Sequence, residues 1–347
     1  MKKLLSLLLA LLLLTGCAGG SNQTTQPPTE SSETGNLTIH FIDVGQADAI
    51  LLECDGEYMM VDGGNVADSS LVVSYLQTQG VTKLEAVVGT HAHEDHVGGL
   101  AGVLAVYETA AVYAPTRTYA SQCFDNFVRY TDQQGLIITI PQPGDVIEFG
   151  GATATVLGPV KSYADPNNTS IVLMVRYGDT SFLLTGDMET EAENDMLNFW
   201  GEDFDWSADL LKVGHHGSDT STGYRFLNAV MPQYGIISVG ADNTYGHPCG
   251  APLSKLKDAG VSVYRTDKMG NILVISDGKS IGIAWDVASA QPQKPDDGDT
   301  VYIGNINSKK LHLPTCSSVP SEKNQVIFET YQQAIQEGYT PCGNCMG

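Results

Sequence analysis

Three histidines and two carboxylates fall within the run His91-Ala92-His93-Glu94-Asp95-His96. Imidazole nitrogen and carboxylate oxygen are ligands for first-row dications such as zinc or manganese. His91 and His93 are two apart, so on an extended turn they point the same way and can share an ion. Asp95 and His96 are adjacent, must diverge, and can reach a second ion a few ångströms away. The plain alternative is a solvated loop that happens to be His-rich.

Other places along the chain carry matching chemistry. Asp187, in Thr185-Gly186-Asp187, follows the apolar run Phe182-Leu183-Leu184, where a carboxylate can bridge two ions or simply cap the next helix. His215-His216 follow Leu210-Leu211-Lys212-Val213; two adjacent imidazoles after a buried strand cannot both face the core. His247 lies in Tyr245-Gly246-His247-Pro248, and Asn167-Asn168 precede the run Ile171–Val175. Alone, His247 and the two asparagines read equally well as turn residues. Of the 8 histidines in the chain, however, His91, His93, His96, His215, His216 and His247 all follow strand-like runs, which makes one shared site the economical account.

The elements that must position these residues are mostly strands. Runs at Leu37–Val44, Asp48–Cys54, Glu57–Asp62 and Lys83–Thr90 end at Gly or at the His cluster. Further strands are expected at Ala110–Ala114, Leu136–Ile140, Ala152–Leu157, Ser170–Tyr177, Ser181–Thr185, Asp209–Val213, Tyr234–Val239, Ser262–Arg265, Gly270–Ser276 and Ser280–Trp285. Helical spacing marks Ser69–Gln79, a segment after Gly98-Gly99, Glu189–Phe199, Gly223–Val230 and Ala251–Ala259. Many strands with a few interspersed helices predict two sheets covered by helices on their outer faces. Ligands at strand ends suit such an α/β arrangement, because loops there present chemistry.

The ends of the chain differ from this body. Lys2 and Lys3 precede an apolar run from Leu4 to Leu14, which leads into Leu14-Thr15-Gly16-Cys17. The run is too short to span a bilayer comfortably and reads as a targeting signal. It resembles the lipobox of bacterial lipoproteins, in which Cys17 becomes a lipid-modified N-terminus; an ordinary secretory signal is the alternative. Residues 18–36, rich in Ser, Thr, Gly, Pro and Gln, read as a flexible tether. A polar linker over 287–300 precedes a final module, 301–347, in which His312, Cys316, Cys342 and Cys345 supply the four ligands a closed structural zinc site needs. A disulfide is the other reading of those cysteines. Of the 7 cysteines, Cys54, Cys123 and Cys249 are then left over, so at least one thiol stays free.

The net charge of −22 argues against broad surface binding of a polyanion. It leaves a nucleic-acid substrate open, since bound dications bring their own local positive charge.

Taken together the motifs resemble a known family. His91-Ala92-His93-Glu94-Asp95-His96 looks like the HxHxDH signature of the metallo-β-lactamase superfamily, an αββα sandwich. Asp43-Val44-Gly45-Gln46-Ala47-Asp48-Ala49, Val61-Asp62-Gly63-Gly64, Thr185-Gly186-Asp187, Lys212–Ser218 and Tyr245–Pro248 are similar to its ComEC-type, competence-related branch. The resemblance covers 37–286 as one hydrolase domain. It implies that Asp62 and Asp43 support the metal loop, that Asp187 bridges one or two ions (zinc or manganese), and that His247 stands where a last His ligand is expected. His215 and His216 stand where relatives place a ligand or a catalytic acid, and the sequence does not separate those roles. The superfamily usually has a His about twenty residues before the bridging Asp; Asn167-Asn168 occupy that place here and are the substitute ligands it suggests. The implied reaction is attack of an ion-activated water, oriented by Asp95 or Asp187, with proton delivery from the 215–216 pair. The implied role is a nuclease or phosphodiesterase for DNA on the outer side of a bacterial membrane, held there by the Cys17 lipid alone. A phosphorylcholine esterase of cell-wall polymers and a non-catalytic binding protein are the alternatives. The tail resembles the metal-binding module of the Ada repair protein.

Overall fold

The computed structural model describes residues 35–286, 302–312, 316, 318–328, 334 and 337–342. Cys17, the tether up to residue 34, the linker and Cys345 lie outside the described residues.

Two seven-stranded sheets face each other. The first runs Ile281–Asp286, Asn271–Ser276, Leu37–Phe41, Ala49–Cys54, Glu57–Gly63, Ala86–Val88, Val112–Tyr113. The second runs Ser262–Arg265, Tyr234–Ile237, Leu210–Lys212, Thr180–Leu184, Val172–Tyr177, Ala152–Gly158, Val146–Phe149. Each sheet is mixed: Glu57–Gly63, Ala86–Val88 and Val112–Tyr113 pair in parallel, as do Thr180–Leu184 through Ser262–Arg265, and the remaining pairs are antiparallel.

Side-chain alternation explains the layers. Ile50, Leu52 and Cys54 pack between the sheets with Leu173, Val175 and Phe182, whereas Ala49 and Leu51 face outward. The outward set is covered by the helices Ser69–Thr78, Leu100–Val106 and Gln122–Gln133. Helices Thr190–Trp200, Tyr224–Val230 and Gly250–Asp258 cover the second sheet in the same way. Burial on both faces is why these strands read as nearly continuous apolar runs. Each fully buried Leu, Ile or Phe stabilises by roughly 1.5–3 kcal/mol before entropy is charged against it.

The αββα sandwich is the one expected, with local departures. Leu136–Ile140 is not a strand; its only ladder contact is the bridge of Thr139 to Tyr113. Among the elements that were not legible, two bear on the sandwich. Gln122–Gln133 is a helix whose Ser121 side chain accepts the Phe124 N–H, and it buries Cys123, Phe124, Phe127 and Thr131. Most of its remaining residues are polar, which hid the apolar stripe. Val146–Phe149 is an edge strand with alternate residues exposed.

Topology brings the chemistry to one rim. The ends of the parallel strands at residues 63, 88, 184, 212 and 237, and the start of the antiparallel strand at 172, lie on the same side of their sheets. Two glycines allow the loops to close in. A Cβ on Gly99 would meet the Gly63 carbonyl oxygen at 2.0 Å, and Gly186 (φ +52°) packs against Thr90 and Ser170.

The C-terminal residues form a four-stranded sheet of their own, ordered Gln325–Phe328, Tyr302–Asn305, Lys310–His312, Thr340–Pro341, over a small core of Leu311, Phe328, Ala334 and Tyr339. Among the described residues no helix is long and apolar enough to cross a membrane.

Candidate metal centre

Asp62 organises the His cluster. It stands next to last in the strand Glu57–Gly63, at φ +58°, a left-handed conformation uncommon outside Gly and associated with functional sites. Its buried carboxylate accepts the Thr90 N–H and the Thr90 hydroxyl, each at 2.7 Å, and the His96 Nδ1–H, also at 2.7 Å. That last bond turns His96 Nε2 toward Asp187 Oδ2, 3.2 Å away. After an extended His93 (ψ 153°) the chain makes a helical turn, Glu94–Val97. The adjacent Asp95 and His96 therefore converge instead of diverging, with Oδ2 and Nε2 3.9 Å apart.

Asp95, His96, Asp187 and His216 each offer one ligand atom, all within 4.8 Å of one another. His216 Nε2 stands 3.4 Å from Asp95 Oδ2 and 3.6 Å from Asp187 Oδ2. Beside this set, His91 Nε2 and His93 Nδ1 are 3.0 Å apart, and His91 Nε2 is 4.0 Å from the same Asp187 oxygen. Asp187 thus lies between two groups of donors. A divalent ion fits this arrangement. His96 Nε2, His216 Nε2, Asp187 Oδ1 and Asn167 Oδ1 are all buried without a hydrogen-bond partner, although buried polar atoms are normally paired.

The charges agree with a cation site. Burial disfavours the imidazolium of His96, yet Asp187, Asp62 and Asp95 outweigh it and hold its pKa well above the usual value. Burial likewise opposes charge on His216, and Asp187 and Asp48 overcome it, raising its pKa to about 10. Asp187 is buried too, but His96 and His216 keep it well below the carboxylate range. Asp95 falls to about 2, burial being outweighed chiefly by His96 and by the close approach of His216. His91 moves down, through burial and then the His96 charge.

His215 and His216 are separated by geometry. Both take left-handed backbone (φ +49° and +51°), which sends adjacent side chains apart. His216 is buried, with Nδ1 directed at the Ser238 carbonyl (2.9 Å). His215 is 22 % exposed; its Nε2 lies 3.8 Å from Asp187 Oδ2, and its Nδ1 faces Thr220 Oγ1 (3.1 Å) and Glu189 Oε1 (3.3 Å). The other expected residues are spread differently. Asn167 lines the cavity over the metal set, with Nδ2 3.5 Å from His215 Nε2. Asn168 turns away, because its Oδ1 accepts the N–H groups of Glu189 and Ala192 at the start of a helix. His247 stands at the cavity rim, 5.5 Å from the His215 ring, outside the four-residue ligand cluster. Asp43 accepts the Gly45 N–H and shapes the turn toward Asp48 without joining the cluster.

Two participants escaped sequence reasoning. Asp48 and Lys212 are fully buried, with Oδ2 and Nζ 2.7 Å apart, and Asp48 Oδ1 lies 3.4 Å from His216 Nδ1. The signal was present in Leu210-Leu211-Lys212-Val213: a lysine ending a buried strand needs a buried partner. The cavity above the site measures 340 Å³ and is lined also by Gln46, Glu94 and Tyr245, with no Lys or Arg among its lining residues. A larger 440 Å³ depression around Phe204, Trp206 and Arg225 holds none of these ligands.

In the C-terminal sheet His312, Cys316 and Cys342 are buried, with ligand atoms within 4.8 Å of one another. His312 Nε2 is without a hydrogen-bond partner. Cys54, Cys123 and Cys249 are all free thiols.

The sandwich and its rim of candidate ligands are those of a metallo-hydrolase fold. Residues 42–241 match the metallo-beta-lactamase superfamily, and the chain belongs to it. Residues 288–346 match the metal binding domain of Ada, a zinc-binding module. The first segment contains every ligand candidate from His91 to His216 and leaves out His247. The chain is 30% identical over 253 residues to ComE operon protein 3 of Bacillus subtilis, covering 67% of this chain and 32% of that protein. It is 30% identical to Competence protein ComA of Neisseria gonorrhoeae (66% and 30% covered) and 31% identical to Recombination protein 2 of Haemophilus influenzae (68% and 28%). The chain thus spans about a third of the length of these curated relatives.

Proposed function

We propose that the protein is a metal-dependent phosphodiesterase acting on DNA outside the cytoplasm, anchored through a lipid on Cys17. The observation that carries the reading is the ring of unpartnered buried donor atoms around Asp187, opening into a cavity with His215 at its side. In this reading His91, His93 and Asp187 hold one ion, with Asn167 in the place of a further ligand. Asp95, His96, Asp187 and His216 hold another. Such ions supply a water acidified enough to attack near neutral pH and a positive charge for the phosphoryl oxygens. Asp95 and Asp187 orient the water. His215, in reach of solvent and of the same cavity, donates the proton to the leaving oxygen, while Glu189 and Thr220 hold its other nitrogen. Asp62 fixes the tautomer of His96. DNA is the substrate favoured by the names of the relatives, which are competence and recombination proteins. In the tail, His312, Cys316, Cys342 and Cys345 close one structural zinc site.

The test is turnover by the purified protein, with zinc or with manganese, of single-stranded and duplex DNA, bis-p-nitrophenyl phosphate and a phosphorylcholine ester. Cleavage of DNA with metal supports the reading. Cleavage of the phosphorylcholine ester alone replaces DNA with a wall polymer. Metal bound without turnover of any substrate makes the protein a binding module.

A further inference from the structure

We infer that Tyr245 is the stacking platform for a nucleobase beside the scissile phosphodiester, so that the site takes single-stranded or locally unpaired nucleic acid. This deepens the phosphodiesterase reading and rests on it. Tyr245 lines the metal cavity and is nonetheless 72 % exposed. One side of the ring stacks on His247, with centroids 5.7 Å apart and planes 25° from parallel. The loop that carries it is braced. Asn243 Nδ2 donates to the carbonyls of Gly240 (2.8 Å) and His247 (2.7 Å), and Asn243 Oδ1 accepts the His247 N–H at 3.0 Å. Gln46 Nε2 reaches His247 Nδ1 at 3.4 Å. A large apolar ring is therefore held at the mouth of the site with most of its surface in water.

The charge distribution says what that ring is for. No Lys or Arg lines the cavity, and the chain carries −22 overall. Inside the cavity a strand meets no ammonium or guanidinium group of the kind that ordinarily dominates affinity for nucleic acid. Within the cavity, favourable contacts beyond the ions fall to groups such as Gln46, Tyr245 and His247. Stacking on an aromatic ring serves any base, needs no charge, and is available only to a base freed from its neighbours. The Tyr245–His247 stack offers such a surface at the cavity rim.

The experiment uses the full-length, metal-loaded chain and two short oligonucleotides, one with normal bases and one abasic throughout its central segment. Stacking of this kind predicts that KM is roughly 5- to 100-fold higher for the abasic strand. Tyr245→Ala should raise KM for the normal strand by a similar factor, more than it lowers kcat, and should erase the discrimination. Tyr245→Trp should restore both. A purely structural role would move kcat and the thermal midpoint without touching the base-to-abasic ratio. Equal KM for the two strands in the wild type, or an unchanged ratio in Tyr245→Ala, overturns this inference and leaves the phosphodiesterase reading standing. Failure to cleave either strand overturns both.

Discussion

Lys212→Met is the most informative single change. It removes the ammonium from a pair whose partners are both fully buried, with Nζ and Oδ2 2.7 Å apart. The Coulomb attraction at that distance is roughly 6 kcal/mol at an effective dielectric of about 20. Much of it offsets the cost of taking both ions out of water. Removing one partner alone leaves the other charge stranded, which costs about 3–5 kcal/mol. Asp48 would be left with the 3.4 Å approach to His216 and the more distant His96, neither of which replaces a 2.7 Å ammonium contact. Urea unfolding after chelation keeps metal binding out of the measurement. Trp200, Trp206 and Trp285 are the only tryptophans, and all lie before the linker, so their fluorescence reports the sandwich and not the tail. With a urea dependence of about 3 kcal/mol per molar, the midpoint should fall by about 1–1.7 M. The double variant Asp48→Asn/Lys212→Met removes both charges and should recover most of that loss. If the single variant fails to fold, folding of the double variant carries the same information. A single variant within about 1 kcal/mol of wild type, or a double variant as damaged as the sum of the singles, refutes the pairing argument.

Asp187→Ala should abolish turnover and metal uptake while the far-ultraviolet circular dichroism stays native; retained turnover would show that Asp187 does not unite the two donor groups. Asp62→Ala should weaken metal binding by roughly 10- to 100-fold in calorimetry, because His96 loses the bond that orients it; unchanged affinity would remove Asp62 from the site's support. Glu193, buried and accepting the N–H groups of Thr222 and Gly223, has its pKa raised by burial from 4.5 to about 7. A raised acid contributes stability that is complete below the unfolded pKa and is lost as pH rises through the folded one. Wild type should therefore lose on the order of 3 kcal/mol between pH 4.5 and 7 relative to Glu193→Gln, measured by urea unfolding at each pH; parallel curves would contradict this. Cys342→Ser should release zinc from the tail and expose it to protease, without moving the tryptophan transition.

The candidate ligand types, their order along the chain and their place after apolar runs were legible without coordinates. Strand ends carry chemistry, and His91, His93, Asp95, His96, Asp187 and the 215–216 pair announced themselves by type and spacing. The two-layer sheet was also legible, because strands buried on both faces must be apolar throughout. The polar-rich helix Gln122–Gln133 was lost because its buried stripe is narrow.

Tertiary structure decided what spacing cannot. A helical turn made Asp95 and His96 converge where adjacency alone predicted divergence. Consecutive left-handed residues buried His216 among the ligands and left His215 toward the cavity. Asn167 and Asn168 are equivalent on paper, yet one lines the site and the other caps a helix. Asp48 meets Lys212 and His216 only across the two sheets. Side-chain direction depends on backbone dihedrals and on which strands become neighbours. Neither is encoded in local residue type, so the sequence by itself determined the chemistry available, and folding determined which atoms share it.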